Sequence, residues 1–137
     1  MQKVNEYKIV IQSPPVAQPR PRVTRWGTFD PAKDQKNWAR IQISSQFSEK
    51  LRCPIEVDVI FYMPISKSTS KKNKKRMLEN EIKHQKNKDI DNLCKFVFDS
   101  MNDIVFEDDK QIWHVDAKKI YSENPRTEIT LKWDNPL

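Results

Sequence analysis

Three aspartates in two short motifs are the residues of this chain best suited to chemistry. Asp89 and Asp91 stand one residue apart, and Asp109 follows Asp108 eighteen residues after Asp91. Carboxylates are the hard oxygen ligands that hold Mg²⁺ while the ion keeps several waters. A magnesium ion held in this way can activate water and neutralise phosphate charge during phosphodiester hydrolysis. We therefore expect Asp89, Asp91 and Asp109, with Asp108 as a further candidate, to bind magnesium, for which Mn²⁺ could substitute.

The first motif opens a predicted helix that must position two of these carboxylates. Asp89 is a suitable N-cap, and the residues after it repeat apolar side chains at the spacing of one buried helix face. The members of this face are Ile90, Leu93, Cys94, Val97, Met101 and Ile104. A polar ridge on the other side consists of Asp91, Lys95, Asp99 and Asn102.

Lys95 lies one helical turn after Asp91, so its ammonium could balance the carboxylates or stabilise charge in a transition state. The alternative interpretation is purely structural. Carboxylates at a helix start can serve only as caps and dipole partners, and an exposed Asp–Lys pair one turn apart contributes only ~0.3–0.5 kcal/mol of stability. That interpretation leaves Asp108 and Asp109 without a role.

Positive charge is concentrated in one segment, residues 66–88. The chain has a formal net charge of +6, and this segment holds nine basic side chains against two acidic ones, so the remainder is close to neutral. A concentrated basic surface attracts polyanions such as nucleic acid. We expect DNA contacts from Lys71, Lys72, Lys74, Lys75, Arg76 and Lys88, with a short helix over 71–81. The alternative is a solvated lysine run with no partner.

A second basic element is an arm over residues 18–30. Four prolines between positions 14 and 21 end regular strand pairing, because proline lacks an amide donor. The arm is therefore predicted to be extended, with Arg20, Arg22 and Arg25 beside Trp26. Arginine binds phosphate through two parallel hydrogen bonds, so this arm is a further candidate for DNA binding. A solvated loop is the alternative.

The remaining pattern predicts the scaffold. Apolar and polar residues alternate over 7–11, 55–63, 113–121 and 127–133, which is typical of half-buried strands. A turn at Asn124-Pro125 predicts that the last two strands form a hairpin. An amphipathic helix is expected over 31–52, with Asp30 as N-cap. These elements predict an α/β (α+β) fold, in which a two-layer mixed sheet of about four strands is covered by two main helices, as one domain over 1–137.

Composition excludes several other classes of protein. A single glycine, Gly27, cannot build the glycine-rich loops of nucleotide-cofactor enzymes. Cys53 and Cys94 form no metal-binding pair and the chain has two histidines, so we predict neither a zinc site nor a disulfide framework. No apolar run approaches the ~20 residues of a membrane span, and no secretory signal is recognisable, so we expect a cytoplasmic protein.

The two aspartate motifs together resemble the RusA family of Holliday junction resolvases, small endodeoxyribonucleases of bacteria and their phages and prophages. The segments that carry the resemblance are Asp89 to Lys95, Phe98-Asp99 and Asp108 to Ile112. The likeness extends to Pro19–Arg25, Phe61–Pro64 and Glu123–Glu128.

This resemblance implies roles for individual residues. Asp89, Asp91 and Asp109 would be the essential acidic residues, and Lys95 the lysine of the same helix. Members act with magnesium as homodimers on four-way DNA junctions, which they resolve by paired symmetric nicks in recombination and repair. Two alternatives stay open. One is a non-catalytic DNA-binding module, and the other is a flap-directed or RNA-directed nuclease with the same carboxylate site.

Overall fold

Two central strands of a four-stranded sheet have hydrogen-bonded neighbours on both sides. The structure, a computed structural model, describes residues 4–134, so the first and last three residues of the predicted domain lie outside it. In chain order the elements are β1 (Val4–Ile11), β2 (Arg22–Thr24), β3 (Gly27–Phe29), α1 (Lys33–Gln46), β4 (Ile55–Met63), α2 (Lys71–Leu78), α3 (Ile90–Met101), a 3-10 helix (Asp109–Gln111), β5 (Ile112–Tyr121) and β6 (Arg126–Asp134).

Four strands form a mixed sheet in the order β1-β6-β4-β5, and β2 and β3 form a separate two-stranded hairpin. β6 is antiparallel to both β1 and β4, whereas β5 is parallel to β4. Residues along β4 alternate strictly between buried and half-buried, as predicted for a strand with one face on the core. With α1 and α3 contributing their buried faces to the same core, the structure confirms the predicted α+β fold with a mixed four-stranded sheet.

The predicted hairpin between the last two strands is wrong. β6 inserts between β1 and β4, where Val59 pairs with Ile129 and Ile129 pairs with Ile9. β5 lies instead at the sheet edge. The connection crosses the end of β4, where the Ser122 amide donates to the Met63 carbonyl at 2.9 Å. A local turn signal does not reveal which strand lies beyond the turn, so the sequence could not distinguish these arrangements.

The edge position of β5 also explains why part of its predicted apolar face is exposed. Trp113 is 64% exposed, and Val115 is exposed as well. Trp113 is the additional residue at a register shift, since Ile55 pairs with Ile112 and Glu56 pairs with His114. A bulge of this kind turns the side chain away from the alternation that the rest of the strand follows.

α1 is shorter than the predicted helix over 31–52. It spans Lys33–Gln46, and Phe47 after it adopts an extended backbone. Leu51, which continues the helical spacing in sequence, instead donates its amide to the Val105 carbonyl at 2.8 Å. The apolar residues after Gln46 therefore enter the core from non-helical backbone, which the spacing alone cannot show.

Gln46 at the end of α1 hydrogen-bonds the free edge of β1. Its side-chain oxygen accepts from the Val10 amide at 2.9 Å, and its side-chain nitrogen donates to the Val10 carbonyl at 2.7 Å. Gln42 accepts from the Gln12 amide at 2.7 Å in the same way. Two side-chain amides therefore satisfy backbone groups that would otherwise face solvent.

α3 begins at Ile90, directly after Asp89, as predicted, and ends at Met101, so Ile104 lies beyond it. Its buried face includes Phe96 and Ser100, whereas Ile90 is exposed. The C-terminal end of a helix leaves carbonyl groups without helical partners. Here the Arg40 guanidinium of α1 donates to the carbonyls of Asp99, Ser100 and Asn102 at 3.4, 3.3 and 2.8 Å.

The basic segment contains a helix as expected, although α2 ends at Leu78 rather than near 81, and Ser70 caps it by accepting from the Asn73 amide at 3.2 Å. The predicted extended arm is a hairpin, because Thr24 pairs with Gly27 around a two-residue turn.

None of the helices in residues 4–134 is both long and apolar enough to cross a membrane.

Two isoleucines on α1 allow a matched test of this packing. Ile43 is fully buried, whereas Ile41 is 58% exposed. We expect Ile43→Ala to lower the free energy of unfolding by about 2–5 kcal/mol, because it leaves a cavity. Ile41→Ala should change it by less than about 0.5 kcal/mol. Urea unfolding followed by tryptophan fluorescence measures both values, and equal losses would contradict the assigned face of α1.

Candidate active site

The first pair of aspartates stands at the start of α3 with unengaged carboxylates. The Asp89 backbone carbonyl accepts from the Leu93 amide at 3.0 Å, but the Asp89 side chain makes no capping hydrogen bond. Asp91 follows in the first turn, and both residues are exposed. Among residues 4–134, neither carboxylate has an ion-pair or hydrogen-bond partner. The capping interpretation therefore does not describe these two side chains.

Lys95 is exposed one turn after Asp91, on the same ridge of α3. Within the described part of the chain it forms no ion pair, so the surface Asp91–Lys95 pair that was the structural alternative is not formed. Its ammonium and the Asp91 carboxylate are both available to a ligand that approaches the start of α3.

The second pair of aspartates lies at the short 3-10 helix before β5. The Asp108 carboxylate caps this helix by accepting from the Lys110 amide at 2.8 Å, and this hydrogen bond is the main cause that lowers the pKa of Asp108. Asp108 therefore has a structural role, and its function as a metal ligand stays a prediction. Gln111 completes the cap by accepting from the Glu107 and Asp108 amides at 2.9 and 3.1 Å.

Gln111 also fixes the position of the motif in the fold. Its side-chain nitrogen donates to the carbonyls of Leu51 and Cys53 at 2.9 and 3.1 Å, which attaches the 3-10 helix to the segment before β4. We did not single out this residue from the sequence. The capping-box spacing of Asp108 and Gln111 was the signal that could have identified it.

Asp109 lies near the negative charges of two other carboxylates, Asp108 and Asp99. Its pKa is raised, chiefly by burial, then by the hydrogen bond with Asp108 and the negative charges of Asp108 and Asp99. A carboxylate that is partly desolvated among other carboxylates gains from a nearby cation. Asp109 would therefore gain from a bound cation, and its role as a metal ligand stays a prediction.

A single chain does not bring the three predicted ligands together. Asp99, which influences Asp109, lies eight residues after Asp91 on α3, or ~12 Å along the helix axis. At the other end, Lys119 donates to the Lys88 carbonyl at 3.3 Å, which holds the start of α3 beside the distal half of β5. Asp109 precedes β5. Among residues 4–134, no group of three or more His, Cys, Asp or Glu side chains could hold a metal ion. Joint coordination stays a prediction.

Lys36 of α1 lies between two acidic side chains, Asp30 and Asp99. Lys36 pairs with Asp30 at 2.7 Å and approaches Asp99 at 3.7 Å. The hydrogen bond from Lys36 is the main cause that lowers the pKa of Asp30. We did not identify Lys36 from the sequence, because its partner Asp99 is distant in the chain and no local pattern joins them.

The basic residues of α2 lie on the surface, as DNA binding requires. All five candidates are exposed: Lys71, Lys72, Lys74, Lys75 and Arg76. Lys74 pairs with Glu123 at 2.8 Å and Arg76 pairs with Glu81 at 3.3 Å. Exposed pairs of this kind contribute ~0–1 kcal/mol, so phosphate can displace them.

The other DNA-binding candidates divide into two groups. Arg20, Arg22 and Arg25 are exposed along the β2–β3 hairpin, and in the described structure they form no ion pairs. Lys88 is different, because its ammonium donates to the Pro15 carbonyl at 2.7 Å and its backbone has a φ of 82°. Lys88 therefore has a structural contact at the start of α3, and its contact with DNA stays a prediction.

The raised pKa of Asp109 predicts a pH-dependent stability cost. When an acidic side chain has a higher pKa in the folded protein than in the unfolded chain, it lowers the free energy of unfolding as the pH rises from the lower pKa through the higher one. Asp109→Asn removes this cost and should raise the urea midpoint at pH 7. The difference should disappear near pH 3, where Asp109 is protonated in both states. Glu49→Gln, in the exposed loop after α1, is the control, and a lower midpoint for Asp109→Asn at pH 7 would contradict the prediction.

Comparison with known proteins gives two matches. A family model described as endodeoxyribonuclease RusA matches residues 12–132. The chain is also 34% identical, over 134 residues, to the uncharacterized protein YqaN of Bacillus subtilis (strain 168), covering 91% of this chain and 94% of that protein. The family match spans both aspartate motifs, the basic helix α2 and the β2–β3 hairpin. The predicted resemblance is confirmed, and the chain belongs to the RusA family of endodeoxyribonucleases.

Proposed function

We propose that this protein is a magnesium-dependent endonuclease that resolves four-way DNA junctions by paired symmetric nicks. The observation that carries the proposal is the family match over residues 12–132, which contains both aspartate motifs. The unengaged carboxylates of Asp89 and Asp91 support it, because exposed aspartates with no structural partner suit a ligand-binding role.

Asp89, Asp91 and Asp109 are the residues that would hold the metal. A bound magnesium ion would supply an activated water and neutralise charge on the phosphate. The chain's own contribution is to present two free carboxylates at a helix start and a third whose negative surroundings favour a cation. Lys95 presents an ammonium one turn from Asp91, where it can neutralise a phosphate oxygen of the scissile group.

The separation of the two aspartate motifs, one at the start of α3 and one after its end, supports a homodimer as the active form. Asp99, which influences Asp109, lies ~12 Å along α3 from Asp91, so a second copy would be the source of a third carboxylate at the start of α3. A two-fold axis makes the exchange reciprocal, so Asp109 of each copy would serve the helix start of the other. The result is two equivalent metal sites, which suits paired nicks in strands of like polarity.

The runner-up function is a non-catalytic DNA-binding module. The observation that favours it is the lack of a three-carboxylate cluster among residues 4–134 of one chain. In that case the exposed bases of α2 and the hairpin would bind phosphate with a steep salt dependence, and no divalent metal would produce strand scission. A third candidate retains the metal site but cuts flaps or RNA.

Conservative variants of the three aspartates separate these functions. We expect Asp89→Asn, Asp91→Asn and Asp109→Asn each to reduce magnesium-dependent junction cleavage by more than about 10³-fold, because each removes a charged ligand. Junction affinity should change by less than about threefold, since phosphate binding resides in the basic residues. The measurement is cleavage of a labelled four-way junction, with duplex, flap and RNA substrates in parallel.

Glu49→Gln serves as the control in this assay and should cleave like the parent protein. Cleavage that survives in all three asparagine variants would exclude the proposed site. A parent protein that binds junctions but cuts no substrate with Mg²⁺ or Mn²⁺ would establish the binding module instead.

A mixed dimer tests whether the site is shared between two copies. We expect a purified heterodimer of Asp89→Asn and Asp109→Asn to nick junctions at about half the parental rate, because one site then keeps all three carboxylates. Differently tagged copies, co-expressed and purified in sequence, supply the sample. A heterodimer of Asp89→Asn with the parent chain is the positive control. If that control nicks and the double-variant heterodimer does not, each site lies within one chain.

A further inference from the structure

The tip of the β2–β3 hairpin exposes a large aromatic side chain. Trp26 occupies the two-residue turn and is 84% exposed, and Val23 on the adjoining strand is 81% exposed. The Arg25 guanidinium lies over the indole, 4.8 Å from the ring centroid. A tryptophan this exposed is suited to contact a partner, since its indole presents a large apolar surface to solvent even with Arg25 beside it.

The turn that carries Trp26 is internally organised. The Thr24 hydroxyl accepts from the Trp26 amide at 3.2 Å and donates to the Gly27 carbonyl at 3.2 Å. Gly27 has a φ of 127°, a conformation that favours glycine, and it lets the chain reverse after two residues. The indole is therefore presented by a defined turn.

The base of the hairpin is attached to the start of α3. The Gln18 amide donates to the Asn92 carbonyl at 2.9 Å, and the Gln18 side chain donates to Asp30 at 3.0 Å. Asp30 is held in turn by the Lys36 ammonium at 2.7 Å and the Ala32 amide at 2.9 Å. Both ends of the hairpin thus join beside Asn92, the residue after Asp91.

The charge of the hairpin identifies the class of partner. Residues 19–29 contain Arg20, Arg22 and Arg25 and no acidic side chain. Such a surface attracts the phosphates of a nucleic acid. A second copy of the same hairpin carries the same charge, so contact between two tips across a dimer would be repulsive. The three-residue strands place the tip ~10 Å beyond the base, a reach comparable to the radius of a DNA duplex.

We propose that Trp26 stacks on a nucleobase at the branch point of a DNA junction while Arg20, Arg22 and Arg25 bind the adjacent phosphates. At the centre of an open four-way junction the flanking base pairs have one face without a stacking partner, so an aromatic ring can stack there. The hairpin would hold the branch point next to Asp89 and Asp91 and so select junctions over linear duplex. This inference rests on the proposed function, since it assigns the substrate feature that the same site meets.

Fluorescence of 2-aminopurine placed next to the branch point tests the contact. Measurements are made in EDTA, so no cleavage takes place and failure of the nuclease proposal leaves the readout unaffected. We expect the parent protein to change the fluorescence of this base and Trp26→Ala to abolish the change. Trp26→Ala should weaken junction binding by about 5- to 100-fold while changing duplex binding by less than about twofold.

Three further variants make the result interpretable. Trp26→Phe keeps an aromatic face and should restore most of the fluorescence change, and an unaltered urea midpoint for Trp26→Ala verifies folding. Trp113→Ala, another exposed tryptophan, should match the parent. Arg22→Gln should weaken junction and duplex binding together. It should also reduce by about one the number of counterions released on binding, as measured by the slope of log affinity against log salt concentration.

Two results would overturn the proposal. One is a Trp26→Ala protein with parental junction preference and an unchanged 2-aminopurine signal. The other is a Trp26→Ala protein that sediments as a smaller species while the signal persists, which would identify the hairpin as a protein–protein contact.

Discussion

The parallel pairing of β4 with β5 is the constraint on which the rest of the structure depends. Val57 pairs with Val115 and Met63 with Tyr121, so both strands run in the same direction. Parallel strands cannot be joined by a tight turn, and the chain must return along the sheet before it starts the second strand. α3 makes this return. The motif before the helix and the motif after it therefore lie at opposite ends of the sheet.

Polar contacts around α3 are distributed unevenly along its length. Its second half is held by α1, where Arg40 binds the terminal carbonyls and Lys36 approaches Asp99. Within residues 4–134, its first turn receives only backbone hydrogen bonds, including the one from Gln18 to Asn92. Because these contacts hold the C-terminal end of α3, the side chains of its first turn are not needed to fix the helix. The carboxylates there can bind ligands while the helix stays rigid.

The sequence predicted the features that depend on local pattern. Alternation located all four strands of the sheet, and the N-cap with its apolar spacing located the start of α3. The two aspartate motifs and the family were likewise readable, because they are short and contiguous. The capping role of Asp108 follows a local rule as well, although we assigned that residue only as a candidate ligand.

Features that depend on distant contacts were not predictable. Insertion of β6 between β1 and β4 is decided by packing across the whole sheet, so a turn at Asn124-Pro125 could not reveal it. The early end of α1 reflects the pairing of Leu51 with Phe106, more than fifty residues apart. The prolines of the arm gave no indication that residues 22–29 pair with each other around a two-residue turn. Separation of the aspartates follows from the crossover, which only the strand order reveals.

The hydrogen bonds from Gln42 and Gln46 to β1 make the two margins of the sheet unequal. At β1 the outward backbone groups of Val10 and the Gln12 amide are already occupied, whereas β5 forms the opposite margin without such a cover from α1. An incoming extended peptide would therefore find the end of β1 around Val10 already occupied. Each occupied backbone group at this end of β1 is one fewer unpaired donor or acceptor for edge-to-edge association of the sheet.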